Sequence, residues 1–346
     1  MNKILFKFPV WVEQASDIIL QYRIRLSRNL ENVPFVHKTE MIDLYNVNLE
    51  VKNALAKIEY GQDFHNIEFS QQSFWETECI KEKLYLNDIH VKDQNKILFI
   101  NDDMDSFIVT NSKDHIRLYQ YFVSDEINTF YQKIDELDNQ LCKRLNYAYH
   151  RTFGYLSPQI INTGTGLKIS ALLHLPGTNF LSRLKDLISM ASKYNFILRS
   201  MLSFDKEKIG NLFILENEFS YGFNEETIIS NFAKVIDYVY EFEKNNRLEL
   251  FDLHQDQIKD KIFRAWGILN NSYMLNVNET YNLFSAIRLG IFFRLINQNI
   301  LKIIKRLSIM VLPGHLRLHY GITNSTTEFV DKYRAEYIKQ ELKKAG

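Results

Sequence analysis

Cysteine is scarce in this sequence: Cys79 and Cys142 are the only two among 346 residues. Two thiols make neither a disulfide framework nor a four-cysteine zinc site, and that usage fits a reducing cytoplasm. Proline numbers five, and none falls between Pro176 and Pro313. Long helices are therefore permitted through that stretch. An excess of either charge is missing, since Lys+Arg and Asp+Glu both number 42. No overall basic field marks a nucleic-acid binder, so any cationic site is local. Long apolar runs are missing as well. The most apolar, residues 283–296, contains Arg288 and Arg294 and is too short to span a bilayer. The stretch up to Val12 carries Lys3 and Lys7 without a small-residue cleavage site, which reads against a signal peptide. Metal-ligand spacing is poor: His315 and His319 stand four apart with no third ligand beside them, and no metal site is expected.

What is present is enough apolar material for a large core, 46% against 24% charged. Residues 17–28 alternate so that Arg23 and Arg25 share one face of an extended strand, with Ile24 and Leu26 on the other. Residues 40–93 read as helix and loop. Strands over 97–100, 107–109 and 115–122 predict an antiparallel meander. A 3.6-residue period from Ile127 to Leu145 predicts a helix with Ser124 or Asp125 as its N-cap and Cys142 as a core thiol. A helix over about 180–194, strands over 196–202 and 212–215, and a helix starting near Asn224 follow. Polar stretches at 244–247 and 254–257 frame a boundary, after which helical spacing continues to the end. The expectation is an α+β chain: an antiparallel sheet flanked by helices over 1–246, then an all-α domain over 247–346.

One stretch organises the rest. Asn162-Thr163-Gly164-Thr165-Gly166-Leu167-Lys168 is a glycine-punctuated loop running into an apolar strand that stops at Pro176. Two glycines one residue apart permit close approach of the backbone, and Lys168 stands where the strand begins. This reads as one wall of a phosphate site, with Arg23, Arg25, Arg117 and Arg199 as the others. The pattern is neither a Walker loop nor a dinucleotide fingerprint. A plain turn, and a solvated strand edge for the arginines, are the alternative readings.

Taken in order, the motifs resemble the ATP:guanidino phosphotransferase family, in its bacterial protein-arginine kinase branch. They are Arg23-Ile24-Arg25-Leu26-Ser27-Arg28, Asp114-His115-Ile116-Arg117, Gly154-Tyr155-Leu156, Asn162-Thr163-Gly164-Thr165-Gly166-Leu167, Leu173-His174-Leu175-Pro176, Gly210-Asn211, Arg264-Ala265-Trp266-Gly267 and Ile287-Arg288-Leu289-Gly290. The resemblance implies ATP with Mg2+ as cofactors and arginine side chains of proteins as acceptors. It assigns Arg23, Ile24, Arg25, Arg117, Lys168, Ser170 and Arg199 to the nucleotide, Lys168 replacing an arginine. It assigns Asp331 and Arg334 to phosphoarginine. It further implies a homodimer, a zinc-binding activator protein and a proteolytic chaperone system as partners, with neither nucleic acid nor membrane.

The match is incomplete where the proton is handled. Glu207 matches the second of two family glutamates, whereas Lys113 stands at the first and Gln159 at a common cysteine position. Residues 203–206 lack the family's glycine-rich, acidic character. Val330 replaces one arginine of the phosphoarginine pattern. Two readings follow: a phosphotransferase with weakened chemistry, in which Glu207 orients the acceptor and Asp114 partly replaces the lost carboxylate, or a pseudokinase that binds nucleotide or phosphoarginine as a regulatory adaptor.

Overall fold

The computed structural model describes residues 7–9, 12, 16–86, 95–124, 126–202 and 208–344. Its axis is strand β1 (Ile19–Arg28). Helix α1 (Met41–Leu55), strand β2 (Phe64–Glu68) and helix α2 (Phe74–Leu84) come next. The meander β3 (Ile97–Asn101), β4 (Ser106–Thr110) and β5 (Ile116–Phe122) follows, then helix α3 (Ile127–Cys142). A small hairpin, β6 (Tyr149–His150) and β7 (Gly154–Tyr155), precedes β8 (Leu167–His174). Helices α4 (Pro176–Phe180) and α5 (Leu184–Ser192) lead to β9 (Phe196–Leu202) and β10 (Lys208–Asn217). The rest is helical: α6 (Glu225–Asn271), α7 (Val277–Phe292), α8 (Asn299–Met310), α9 (Pro313–Tyr320) and α10 (Thr327–Lys343).

Eight strands form one sheet in the order β2-β3-β4-β5-β1-β8-β10-β9. Each neighbouring pair is antiparallel. Period-2 alternation sends Ile24 and Leu26 into a core built with α1, α3, α5 and the first half of α6. On the opposite face, α2 covers the outer strands through Ile80 and Leu84 against Leu98, Ile100 and Phe107. The carboxy-terminal helices cover the other end through Leu212. Polar side chains of the central strands lie between.

The α+β architecture is as expected, with four local differences. Strand β2 falls inside a region read as helix and loop. It is five residues long and carries His65, Asn66 and Glu68, so it has no apolar alternation of its own and is recruited by pairing with β3. Cys142 is exposed rather than a core thiol, because the helix turns about 100° past buried Leu141 at its last residue. The helix expected over 180–194 is two helices, broken at Ser182, whose φ is 60°. The N-cap of α3 is Glu126, with Ser124 Oγ accepting from its backbone N–H at 3.2 Å; Asp125 lies outside the described residues.

The polar stretches at 244–247 and 254–257 are helical. α6 runs through both, with His254 (φ −135°, ψ 34°) its one non-helical residue. Arg247 fastens this helix to the sheet. Its guanidinium is fully buried and donates to Glu243 Oε1 at 2.7 Å, Asp17 Oδ2 at 2.9 Å and the His174 carbonyl at 3.0 Å. Glu243 in turn accepts from the backbone N–H groups of Gly177 and Thr178, both at 2.9 Å. No helix among the described residues is long and apolar enough to cross a membrane.

Candidate functional site

Strand register assembles the site. Arg25 lies opposite Tyr119 on one side and Lys168 on the other, Arg23 opposite Tyr121 and Ser170, and Ser27 opposite Arg117. Ser170 faces Glu216, and Arg199 lies two residues along from the partner of Glu216. Directly opposed residues share a face. Arg23, Arg25, Arg117, Lys168, Ser170, Arg199 and Glu216 therefore form one polar strip. Ile24 is the exception among the expected nucleotide contacts. Its side chain is wholly buried on the other face, so only its backbone faces the strip's strands.

Each cation is held in place. Arg117 donates twice to Asp114 Oδ2, at 2.9 and 2.8 Å. Asp114 Oδ1 accepts from Asn29 at 3.0 Å and from Ser157 Oγ at 2.7 Å. Burial pushes the Asp114 carboxyl up, but Arg117 and these hydrogen bonds more than offset it and hold it below the usual carboxylate range. With both oxygens engaged, Asp114 positions Arg117 rather than facing an acceptor. Arg25 donates from Nη2 to Asn162 Oδ1 at 2.9 Å, and Gln159 Oε1 accepts from Asn162 Nδ2 at 3.1 Å. Burial first, and neighbouring Arg117 second, lower Arg25 to about 10. Its Nε is buried without a hydrogen-bond partner. Arg23 Nε donates to Ser170 Oγ at 3.2 Å.

Glu216 was not singled out in the sequence. Its carboxylate stands 3.1 Å from Arg199 Nη2, 3.8 Å from Lys168 Nζ and 3.9 Å from Arg23 Nη2. Burial pushes it up, and Lys168, Arg199 and Arg23 outweigh that, leaving it below the ordinary range and ionised at neutral pH. A lone acid closing the apolar run Leu212-Phe213-Ile214-Leu215 was the available signal.

The glycines do other work than expected. Gly164 and Gly166 have φ of 102° and 66°. A Cβ on Gly166 would lie 2.6 Å from the Ser27 carbonyl oxygen, and one on Gly164 2.9 Å from the Ser220 carbonyl oxygen. They pack the loop against its own chain, and the strip is walled by the strand that follows. Lys113 is exposed on the turn closed by the Asn111 N–H to His115 carbonyl bond. Glu207 and residues 203–206 lie outside the described residues.

Burial, more than Glu216 can restore, lowers Lys168 to about 8. Its charge is present below that pH and lost above it. Anion binding is expected to weaken between pH 7 and pH 9, and Lys168→Arg to flatten the profile, because a guanidinium stays charged throughout. Calorimetric titration of ATP across that range checks this.

A second concavity of about 990 Å³ lies among α2, α6, α7, α9 and α10, lined by Trp75, Arg264, Glu279, Arg317, Asp331 and Arg334 among others. Arg334 is buried and braces the bundle. It donates to the carbonyls of Val311 and Leu275, each at 2.7 Å, and pairs with Asp331. Arg317 stacks on Trp75 with its guanidinium carbon 4.3 Å from a ring centroid, and Arg264 is exposed.

Comparison with known proteins places the chain. "ATP:guanido phosphotransferase, C-terminal catalytic domain" matches residues 46–246. This chain belongs to the ATP:guanido phosphotransferase family. "Protein-arginine kinase McsB C-terminal domain" matches residues 255–346. Among relatives in this family, the protein-arginine kinase of Halothermothrix orenii is 29% identical, over 99% of this chain and 98% of its own length. That of Shouchella clausii is 30% identical, over 95% and 92%. Two solved guanidino kinases share the fold. A duplicated taurocyamine kinase from Schistosoma mansoni with bound transition state analog components has a TM-score of 0.59 at 18% identity, over 67% of this chain. The chain spans 34% of that duplicated protein. Lombricine kinase has a TM-score of 0.57 at 14% identity, over 69% of this chain and 71% of its own.

Proposed function

We propose that this protein is an ATP-dependent phosphotransferase acting on arginine side chains of other proteins. The observation that carries this is the strip of five cations fixed by strand register. Phosphoryl transfer asks mainly for positioning and for neutralisation of phosphate charge. Arg23, Arg25, Arg117, Lys168 and Arg199 supply both, and Ser170 and Asn162 hold Arg23 and Arg25 in orientation. The transfer breaks the bond between the terminal phosphorus and its bridging oxygen and forms a nitrogen–phosphorus bond, and the guanidinium gives up a proton. Glu207 is assigned to orient the acceptor and take that proton. Magnesium, when bound with the nucleotide, would supply neutralisation of the phosphate charge. The concavity of the helical half, residues 247–346, is assigned to phosphoarginine, with Asp331 and exposed Arg264 as the residues that would meet it and Arg334 behind Asp331.

Incubating the protein with Mg·ATP and an arginine-rich protein, then recording phosphorus NMR, tests the reading. An acid-labile N–P signal is expected. No signal above a Glu207→Ala control would overturn it.

A further inference from the structure

We infer that Glu216 is an internal anion that sets both the nucleotide affinity of the cationic strip and its dependence on a divalent metal. The inference rests on the proposed nucleotide site. The Glu216 carboxylate lies 3.1, 3.8 and 3.9 Å from nitrogen atoms of Arg199, Lys168 and Arg23. Those N–H groups are the ones a phosphate would use. The side chain is about nine-tenths buried, and its ion-pair partners among the described residues are these three cations. A phosphate joining the same nitrogens therefore comes within a few ångströms of a second, ionised anion. Like charges that close, in a partly desolvated cleft, repel strongly.

Two outcomes relieve the repulsion. The carboxylate swings away and releases its cations, or a divalent cation that Glu216 would help to hold would offset the two negative charges. Magnesium takes that second arrangement readily, binding through one or two carboxylates together with phosphate oxygens. Metal-free ATP, with its higher negative charge, is therefore penalised more than its magnesium complex. Asp114 does not exert the same effect, because both its oxygens are already engaged by Arg117, Asn29 and Ser157. Glu216 thus makes the strip selective for the metal-bound nucleotide instead of for any polyanion.

Calorimetry on the intact chain tests this with ATP and with inorganic tripolyphosphate, each in excess magnesium and in EDTA. The wild type is expected to bind the magnesium forms at least about a hundredfold more tightly than the metal-free forms. Glu216→Gln, which keeps the shape and an acceptor oxygen, is expected to bind metal-free ATP at least about tenfold more tightly and to shrink that ratio correspondingly. Glu216→Asp, which keeps the charge, should retain a large ratio. If Glu216→Gln has the wild-type ratio, or loses affinity for both forms alike, the carboxylate merely aligns the cations and the inference falls. If the glutamine variant does not fold, a wild-type ratio near one for tripolyphosphate overturns the inference by itself. No binding of either ligand by the folded wild type removes the proposed nucleotide site as well.

Discussion

Arg247→Ala is expected to lower the free energy of unfolding by about 3–5 kcal/mol, the cost of breaking a buried ion pair from one side. The size follows from what is left behind. Glu243 is itself fully buried and would keep its backbone donors while losing its cationic partner at 2.7 Å. The His174 carbonyl and Asp17 would lose their donors at the same time. The surface pair Arg183–Glu249 gives the contrast. Its side chains are 37% and 41% exposed, and Arg183→Ala should cost no more than about 1 kcal/mol. Urea denaturation of the two variants against the parent checks the pair. A loss under about 1 kcal/mol for Arg247→Ala would mean that the buried pairs do not form.

The second large effect concerns chemistry. Lys113→Glu is expected to raise the rate of arginine phosphorylation by about a hundredfold or more, the low end of what a positioned general base contributes. Removing the lysine charge adds little. Lys113 is exposed, and in solvent an ammonium about 4 Å from a guanidinium costs only about 1 kcal/mol, several-fold in rate. Most of the gain must come from the carboxylate. The turn that carries position 113 is anchored by Asn111 and by buried Asp114 and His115, so the substitution leaves the strip intact. Rates of N–P formation for both proteins, with nucleotide affinity measured alongside, decide the matter. An unchanged rate at unchanged affinity would show that this position does not handle the proton.

The sheet was legible because alternation is a strong local signal. Arg23 and Arg25 against Ile24 and Leu26 gave both the strand and the face that carries the cations. The meander was legible for the same reason. The short, polar β2 was not, since only its pairing with β3 makes it a strand. Glu216 escaped because a single acid at the end of an apolar strand looks like a solvent-facing terminus. Register with β8, a contact between residues about forty-six apart in sequence (Ser170 and Glu216), is what turns it inward. Arg334 shows the converse. The motif marked it as a ligand contact, and the fold adds what the motif did not show, that it lines the concavity while also serving three local acceptors. The glycines of the loop were recognised as special, but what approaches them closely is this chain's own backbone.

The unbroken course of α6 has a mechanical corollary. Because the segment joining the sheet to the carboxy-terminal bundle is itself a helix, pinned at Arg247 and bent only at His254, there is no slack hinge for a protease to nick or an engineer to cut. Severing the chain near residue 250 would split a rod in mid-span and strip apolar cover from Leu212 and Leu250. The two pieces would then be sticky fragments, and swapping either for its counterpart from a relative calls for a junction placed beyond the bend.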